Sequence, residues 1–166
     1  MKRFKRPFTL IEMMCVILVI ALLAAISIKV TQIAYRRADE TKTKSVLEII
    51  RVANEQYKQK HGHYYPNGGS TYNEGGETFY SINLDPDFLG DAYETCRSIA
   101  AENGNADKVR DAWGNAIRYR SPGVYNDNYD LYSIGRDKGV GDAEDSTKKY
   151  PGLGDDIANF KSPKAK

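Results

Sequence analysis

The sequence predicts an α+β protein: a long N-terminal α-helix, transmembrane in its first half, packed against a small antiparallel β-sheet head with an acidic C-terminal loop. Three observations predict it. No Gly or Pro occurs between positions 8 and 61, and the first part of that stretch is apolar all round while the second is apolar on one side. Positions 116–120 and 129–134 alternate as two paired strands do, with turn residues between them. The composition, 41% apolar and 28% charged over 166 residues, is foldable and leaves room for one ordinary domain.

Residues 1–7 form a basic leader. Of the 24 Lys and Arg, four (Lys2, Arg3, Lys5, Arg6) stand here with no acid, and the remaining 20 face 22 Asp and Glu, so the rest of the chain carries −2. The basic balance therefore belongs to the leader, and a nucleic-acid surface is not indicated.

Residues 8–28 follow, with only Thr9, Glu12 and Ser27 polar and 14 consecutive apolar residues at 13–26. At ~1.5 Å per residue such a helix is about 30 Å long, the thickness of a bilayer's hydrocarbon core. Basic residues precede it, so the positive-inside bias puts Met1 in the cytoplasm and the remainder outside. A cleaved secretory signal is the competing reading, with Ala21, Ala24, Ala25 and Ser27 offering a loose small-residue site. Two features oppose it: the helical pattern continues past the apolar run, and Glu12 places a carboxylate near its start. A carboxylate there costs a few kcal/mol unless paired, which makes it a functional candidate. The bland alternative is that Glu12 reaches the membrane interface and pairs with nothing.

Residues 29–61 carry Val46, Ile49, Ile50, Ala53 and Tyr57 at three- and four-residue spacing, with Lys44, Glu48, Arg51, Asn54, Glu55 and Lys58 on the other side. Gly62 is the expected stop. The whole predicted helix, residues 8–61, reads as a rod of ~80 Å ending in a small head over residues 62–160. His61 and His63 have H-x-H spacing but no third ligand nearby, so they read as a helix-end cap rather than a zinc site. Residues 67–76 read as a polar, Gly-rich loop. Residues 85–101 read as a helix with Asp85 capping and Pro86 in its first turn, turning Phe88, Leu89, Tyr93, Cys96, Ile99 and Ala100 inward. Residues 111–115 read as a turn with Trp113 packed under it, and residues 161–166 as a flexible tail. Cys15 lies in the apolar run and Cys96 far from it, so a disulfide between them is not expected.

Two stretches carry a family resemblance. Pro7-Phe8-Thr9-Leu10-Ile11-Glu12-Met13-Met14 resembles the class III signal of type IV pilins and pseudopilins. Trp113-Gly114-Asn115, Arg118 to Gly123, Tyr129 to Asp137 and Asp155 to Phe160, in that order, resemble the C-terminal domain of the major pseudopilins of type II secretion, as does Tyr64-Tyr65-Pro66. The resemblance covers residues 7–66 and 111–160. It implies a prepilin peptidase that cuts between Pro7 and Phe8 and methylates the new amine. It also implies a Glu12 that pairs with the Phe8 amine of a neighbouring subunit in a homopolymeric filament. The partners it implies are the filament itself, the inner membrane, its assembly platform and ATPase, and minor pseudopilins. The place it implies is a single inner-membrane pass with a periplasmic head. Three departures stand out: Pro7 where the family has Gly, Ala21 and Lys29 where it often has Gly and Pro, and a longer stretch between Asp137 and Asp155.

Residues 135–156 hold Asp137, Asp142, Glu144, Asp145, Asp155, Asp156 and five glycines. From composition alone this reads as a solvated acidic turn. The resemblance implies one structural calcium ion, held by side chains of Asp137, Asp155 and Asp156 and carbonyls of Ile134 and Gly139, with Asp142 or Asp145 as substitutes in the lengthened loop. Calcium takes six to eight hard oxygens, which such a loop offers.

The leading reading is therefore a structural, non-catalytic subunit of a periplasmic pseudopilus for type II protein secretion, with no nucleic acid among its partners. The alternative is a minor pilin or type IV pilus component that binds a ligand, for adhesion or DNA uptake, through Tyr64, Tyr65, Tyr72, Phe79 and Tyr80. A membrane-anchored enzyme is the third reading, and no convergent set of catalytic residues supports it.

Overall fold

The computed structural model describes residues 9–102, 104, 107–140, 151–152 and 156–160, without the side chains at 26–30. The leader, the tail, Phe8, Asp142, Asp145 and Asp155 lie outside the described residues. Contacts divide the chain into two compact units, Met1–Ala38 and Asp39–Lys166.

Helix α1 runs Leu10–His61 without interruption, as the absence of Gly and Pro predicts. In the first unit its apolar side chains are exposed on every side, from Leu10 (79%) through Ile17 (67%) and Leu18 (66%) to Leu23 (58%). Among the described residues no helix is long and apolar enough to cross a membrane.

In the second unit α1 lays a stripe onto the sheet: Thr43, Val46, Leu47, Ile50, Ala53 and Asn54 are all buried. Ile49 and Tyr57 sit at its edge, half-buried. Asn54 corrects the pattern reading, which placed it on the polar side. Its Oδ1 accepts hydrogen bonds from the Tyr65 N–H at 3.2 Å and the Tyr119 hydroxyl at 3.3 Å. A polar residue on the buried stripe is tolerated when it is hydrogen-bonded. Gly62 ends α1 at φ +80°, its N–H donating to the Lys58 carbonyl at 2.8 Å.

The sheet has five antiparallel strands in chain order: β1 (Thr71–Glu74), β2 (Glu77–Ser81), β3 (Arg118–Arg120), β4 (Asp130–Ser133) and β5 (Ile157–Ala158). The β1–β2 hairpin corrects the loop reading of 67–76. Gly75 and Gly76, both at positive φ, form the two-residue turn that matches strand twist. The β3–β4 pair meets the expectation, with Arg118 opposite Tyr132 and Tyr119 opposite Leu131.

Strand alternation gives the sheet two cores. Tyr119 and Leu131 join Ile50, Ile82, Ile117 and Val109 on the helix side. Phe79, Tyr132 and Ile134 face the other way and gather Tyr125, Val140, Ala158 and Phe160. Between β2 and β3 the expected single helix is instead α2 (Pro86–Leu89), a 3-10 turn (Gly90–Ala92) and α3 (Tyr93–Glu102). Gly90, at φ +53°, divides them. The Asp85 cap holds, its carboxylate accepting from the Asp87 N–H at 2.9 Å, and Phe88, Leu89, Cys96, Ile99 and Ala100 are buried as read.

Candidate assembly segment and C-terminal loop

Glu12 stands in the first turn of α1 and is exposed. Thr9 and Glu12 bond reciprocally: the Thr9 N–H donates to the Glu12 carboxylate at 3.4 Å, and the Glu12 N–H donates to Thr9 Oγ1 at 3.3 Å. This is a capping box, which satisfies two of the donors left free at a helix start. The T-x-x-E spacing signals it in the sequence, and the sequence reading used only Glu12.

The C-terminal loop hangs on a buried carboxylate that the sequence reading treated as a turn. Asp111 is fully buried. Its Oδ1 accepts from the N–H groups of Trp113 (3.0 Å) and Asn115 (2.7 Å). Its Oδ2 accepts from Asn115 Nδ2 (3.0 Å) and the Ser133 hydroxyl (2.6 Å). Burial raises its pKa, and the bonds from Ser133 and Asn115 oppose the rise. Asn115 Nδ2 also donates to the Gly135 carbonyl, and Ser133 Oγ accepts from the Gly135 N–H. Thr43 of α1 accepts from the Ala112 N–H at 3.2 Å. Asp111 thus joins the 111–115 turn to β4, its partners Asn115 and Ser133 hold Gly135 at the start of the acidic loop, and the same turn is tied to α1.

A second buried carboxylate, Asp130, fixes the β3–β4 connection. It accepts from the N–H groups of Val124 (2.6 Å), Tyr125 (3.0 Å) and Asn126 (2.8 Å). Gly123 passes so close to the Asn126 carbonyl that a Cβ would clash with it.

Ile134 is buried and Gly135 turns at φ +68°. Asp137 is exposed and accepts from the Gly139 N–H at 2.8 Å, while Lys138 takes φ +61°. Ile134, Asp137 and Gly139 are therefore one local turn. Asp156 closes a separate one, its Oδ2 accepting from the Gly152 N–H at 3.0 Å. These are hard oxygens of the kind calcium takes, fewer than the six to eight it needs. Among the described residues no group of three or more His, Cys, Asp or Glu is gathered for a metal ion.

Of the aromatic residues of the binding-module reading, Tyr64, Tyr65, Tyr72 and Tyr80 are half-buried and one is fully enclosed. Phe79 is fully buried, Tyr64 and Tyr65 pack on the helix-side core, and Tyr72 lies 3.5 Å beneath the Arg118 guanidinium. Arg118 itself is buried and bonds Glu74 at 2.9 Å, and the Tyr132 hydroxyl donates to the same carboxylate. Both cysteines are free thiols, Cys15 exposed and Cys96 buried, and burial pushes the Cys96 thiol up to about 11.

A helix of 52 residues is apolar and uncovered at its start, and its later part lies on a small antiparallel sheet. Residues 98–149 match the family model described as Type II secretion system (T2SS), protein G. The Type II secretion system core protein G of Escherichia coli (strain K12) is 29% identical over 147 residues, covering 86% of this chain and 90% of that protein. The resemblance to the major pseudopilins of type II secretion holds in both comparisons. The matched region includes residues 98–110, which the motif reading left unmatched. No solved structure matches the chain.

Proposed function

We propose that the chain is a major-pseudopilin-like structural subunit that polymerises into a periplasmic pseudopilus for type II protein secretion. The observation that carries this is the start of α1: apolar side chains exposed on every side, with one carboxylate in the first turn. A helix apolar all round requires lipid or protein around it. Residues 8–28 supply the inner-membrane pass, with the N-terminus cytoplasmic and the head periplasmic. Prepilin peptidase cuts between Pro7 and Phe8. In the assembled fibre the Glu12 carboxylate leaves its capping box and pairs with the Phe8 amine of a neighbour, and in lipid such a pair is stronger than in water. The assembly platform and minor pseudopilins are the remaining partners, and the role needs no catalysis by this chain.

The same proposal includes one structural calcium ion in the C-terminal loop. Side chains of Asp137, Asp155 and Asp156 and carbonyls of Ile134 and Gly139 hold it. When bound, it would cross-link the segments that carry these ligands.

The test is Glu12→Ala in cells that assemble the fibre. The variant is expected to insert in the membrane at wild-type level and to yield no filaments. Filaments of normal number and length from Glu12→Ala sink the proposal.

A further inference from the structure

His61 ends α1, and His63 follows it across Gly62, whose φ of +80° turns the chain sharply. The turn sets the two exposed imidazoles side by side, with centroids 6.3 Å apart and planes tilted by 42°. Tyr57, one helical turn before His61, frames them: its ring stacks on His61 at 4.3 Å and meets His63 edge-on at 5.7 Å. Tyr57 is itself held edge-on by Tyr65 and Phe88, so the frame is part of the packed core's border.

His63 Nδ1 lies 2.9 Å from the Tyr64 carbonyl oxygen. A carbonyl only accepts, so Nδ1 carries the hydrogen, and in the neutral ring Nε2 keeps its lone pair. One ring nitrogen donating to a backbone carbonyl is how metal-binding histidines are oriented. The cap reading does not use these rings, because the Lys58 carbonyl of the last turn already accepts from the Gly62 N–H.

We propose that His61 and His63 form a two-imidazole site for a borderline divalent transition ion, of which Zn2+ is the probe. With about 2.0–2.1 Å from metal to nitrogen, the ion sits roughly 3.2 Å from each ring centroid. Two ligating rings therefore have centroids at most about 6.5 Å apart, and about 5.3 Å apart at a tetrahedral angle. The observed 6.3 Å lies inside that limit, and small rotations of exposed side chains close the remaining ångström. Water fills the other positions. Imidazole suits Zn2+ and does not suit Ca2+, so the site is chemically distinct from the acidic loop.

The experiment is calorimetric titration of the full chain in detergent with zinc chloride, with excess Ca2+ present to occupy hard-oxygen sites. Wild type is compared with His61→Asn and His63→Asn, whose folding is checked by circular dichroism. The expected result is one Zn2+ per chain, with affinity reduced at least about tenfold in each single variant, a change of about 1.4 kcal/mol. No binding by the wild type overturns the site. So does binding that survives both substitutions, or that is lost in only one of them.

Discussion

A buried carboxylate with four donors around it is expensive to remove, because each donor is then left without a partner. Asp111 is such a group. Asp111→Ala is expected to destabilise the chain by about 2–4 kcal/mol. Asp111→Asn keeps an acceptor for the two N–H groups but sets an amide nitrogen against Asn115 Nδ2, so its loss should be intermediate. Urea unfolding followed by circular dichroism measures both, and an alanine variant as stable as wild type contradicts the role given to Asp111. Glu12 was legible from its own neighbourhood, since a lone acid in an apolar run stands out. Asp111 was not: its partner Ser133 lies 22 residues further on, and Thr43, which ties the same turn to α1 through the Ala112 N–H, lies 69 residues before Ala112. Asn54 escaped for the same reason, as its partner Tyr119 is 65 residues away.

Among the elements, local sequence is decisive where one kind of residue determines the outcome. The absence of Gly and Pro gives α1, Gly62 ends it, and Asp85-Pro86 starts α2. The misses are glycines whose φ was not weighed. Gly75 and Gly76 make a hairpin turn where a loop was expected, and Gly90 splits a helix. The acidic loop is the element whose order depends on a ligand in this account. Its described turn, from Ile134 to Gly139, is held at one end by the Asp111 network and by the Asp137–Gly139 bond. Chelating calcium from the full chain is expected to lower Tm and to open this segment to protease. Asp137→Ala is expected to behave as the chelated wild type does and to be insensitive to chelator. Wild-type Tm and protease pattern unchanged by chelation contradict the ion.

At the scale of the whole molecule, the described head packs many phenols, and their environments make stability fall in alkali. Burial is the leading cause that pushes Tyr65 and Tyr129 up to about 12, from an ordinary 10.0. It also raises Tyr119 and Tyr132 further, with Glu74 adding to the effect at Tyr132. A raised folded pKa means the unfolded chain loses protons first. The contribution to stability is therefore complete below about pH 10 and is lost as pH rises through 12. Ionisation of Tyr65, Tyr119, Tyr129 and Tyr132, followed by their ring NMR signals, should coincide with loss of circular dichroism in one cooperative step above pH 10. Phenolate formation at these four tyrosines that precedes unfolding by a full pH unit contradicts this packing.

The central claim is that the chain is a processed subunit joined to its neighbours through its first turn. Mass spectrometry of the mature N-terminus, on protein taken from its native membrane, tests it most directly. The expected product is a chain beginning at N-methylated Phe8, with the basic leader through Pro7 removed. A chain beginning at Met1 removes the Phe8 amine and with it the pairing to Glu12. A chain cut near Ser27 makes this an ordinary secreted domain, and either result contradicts the account.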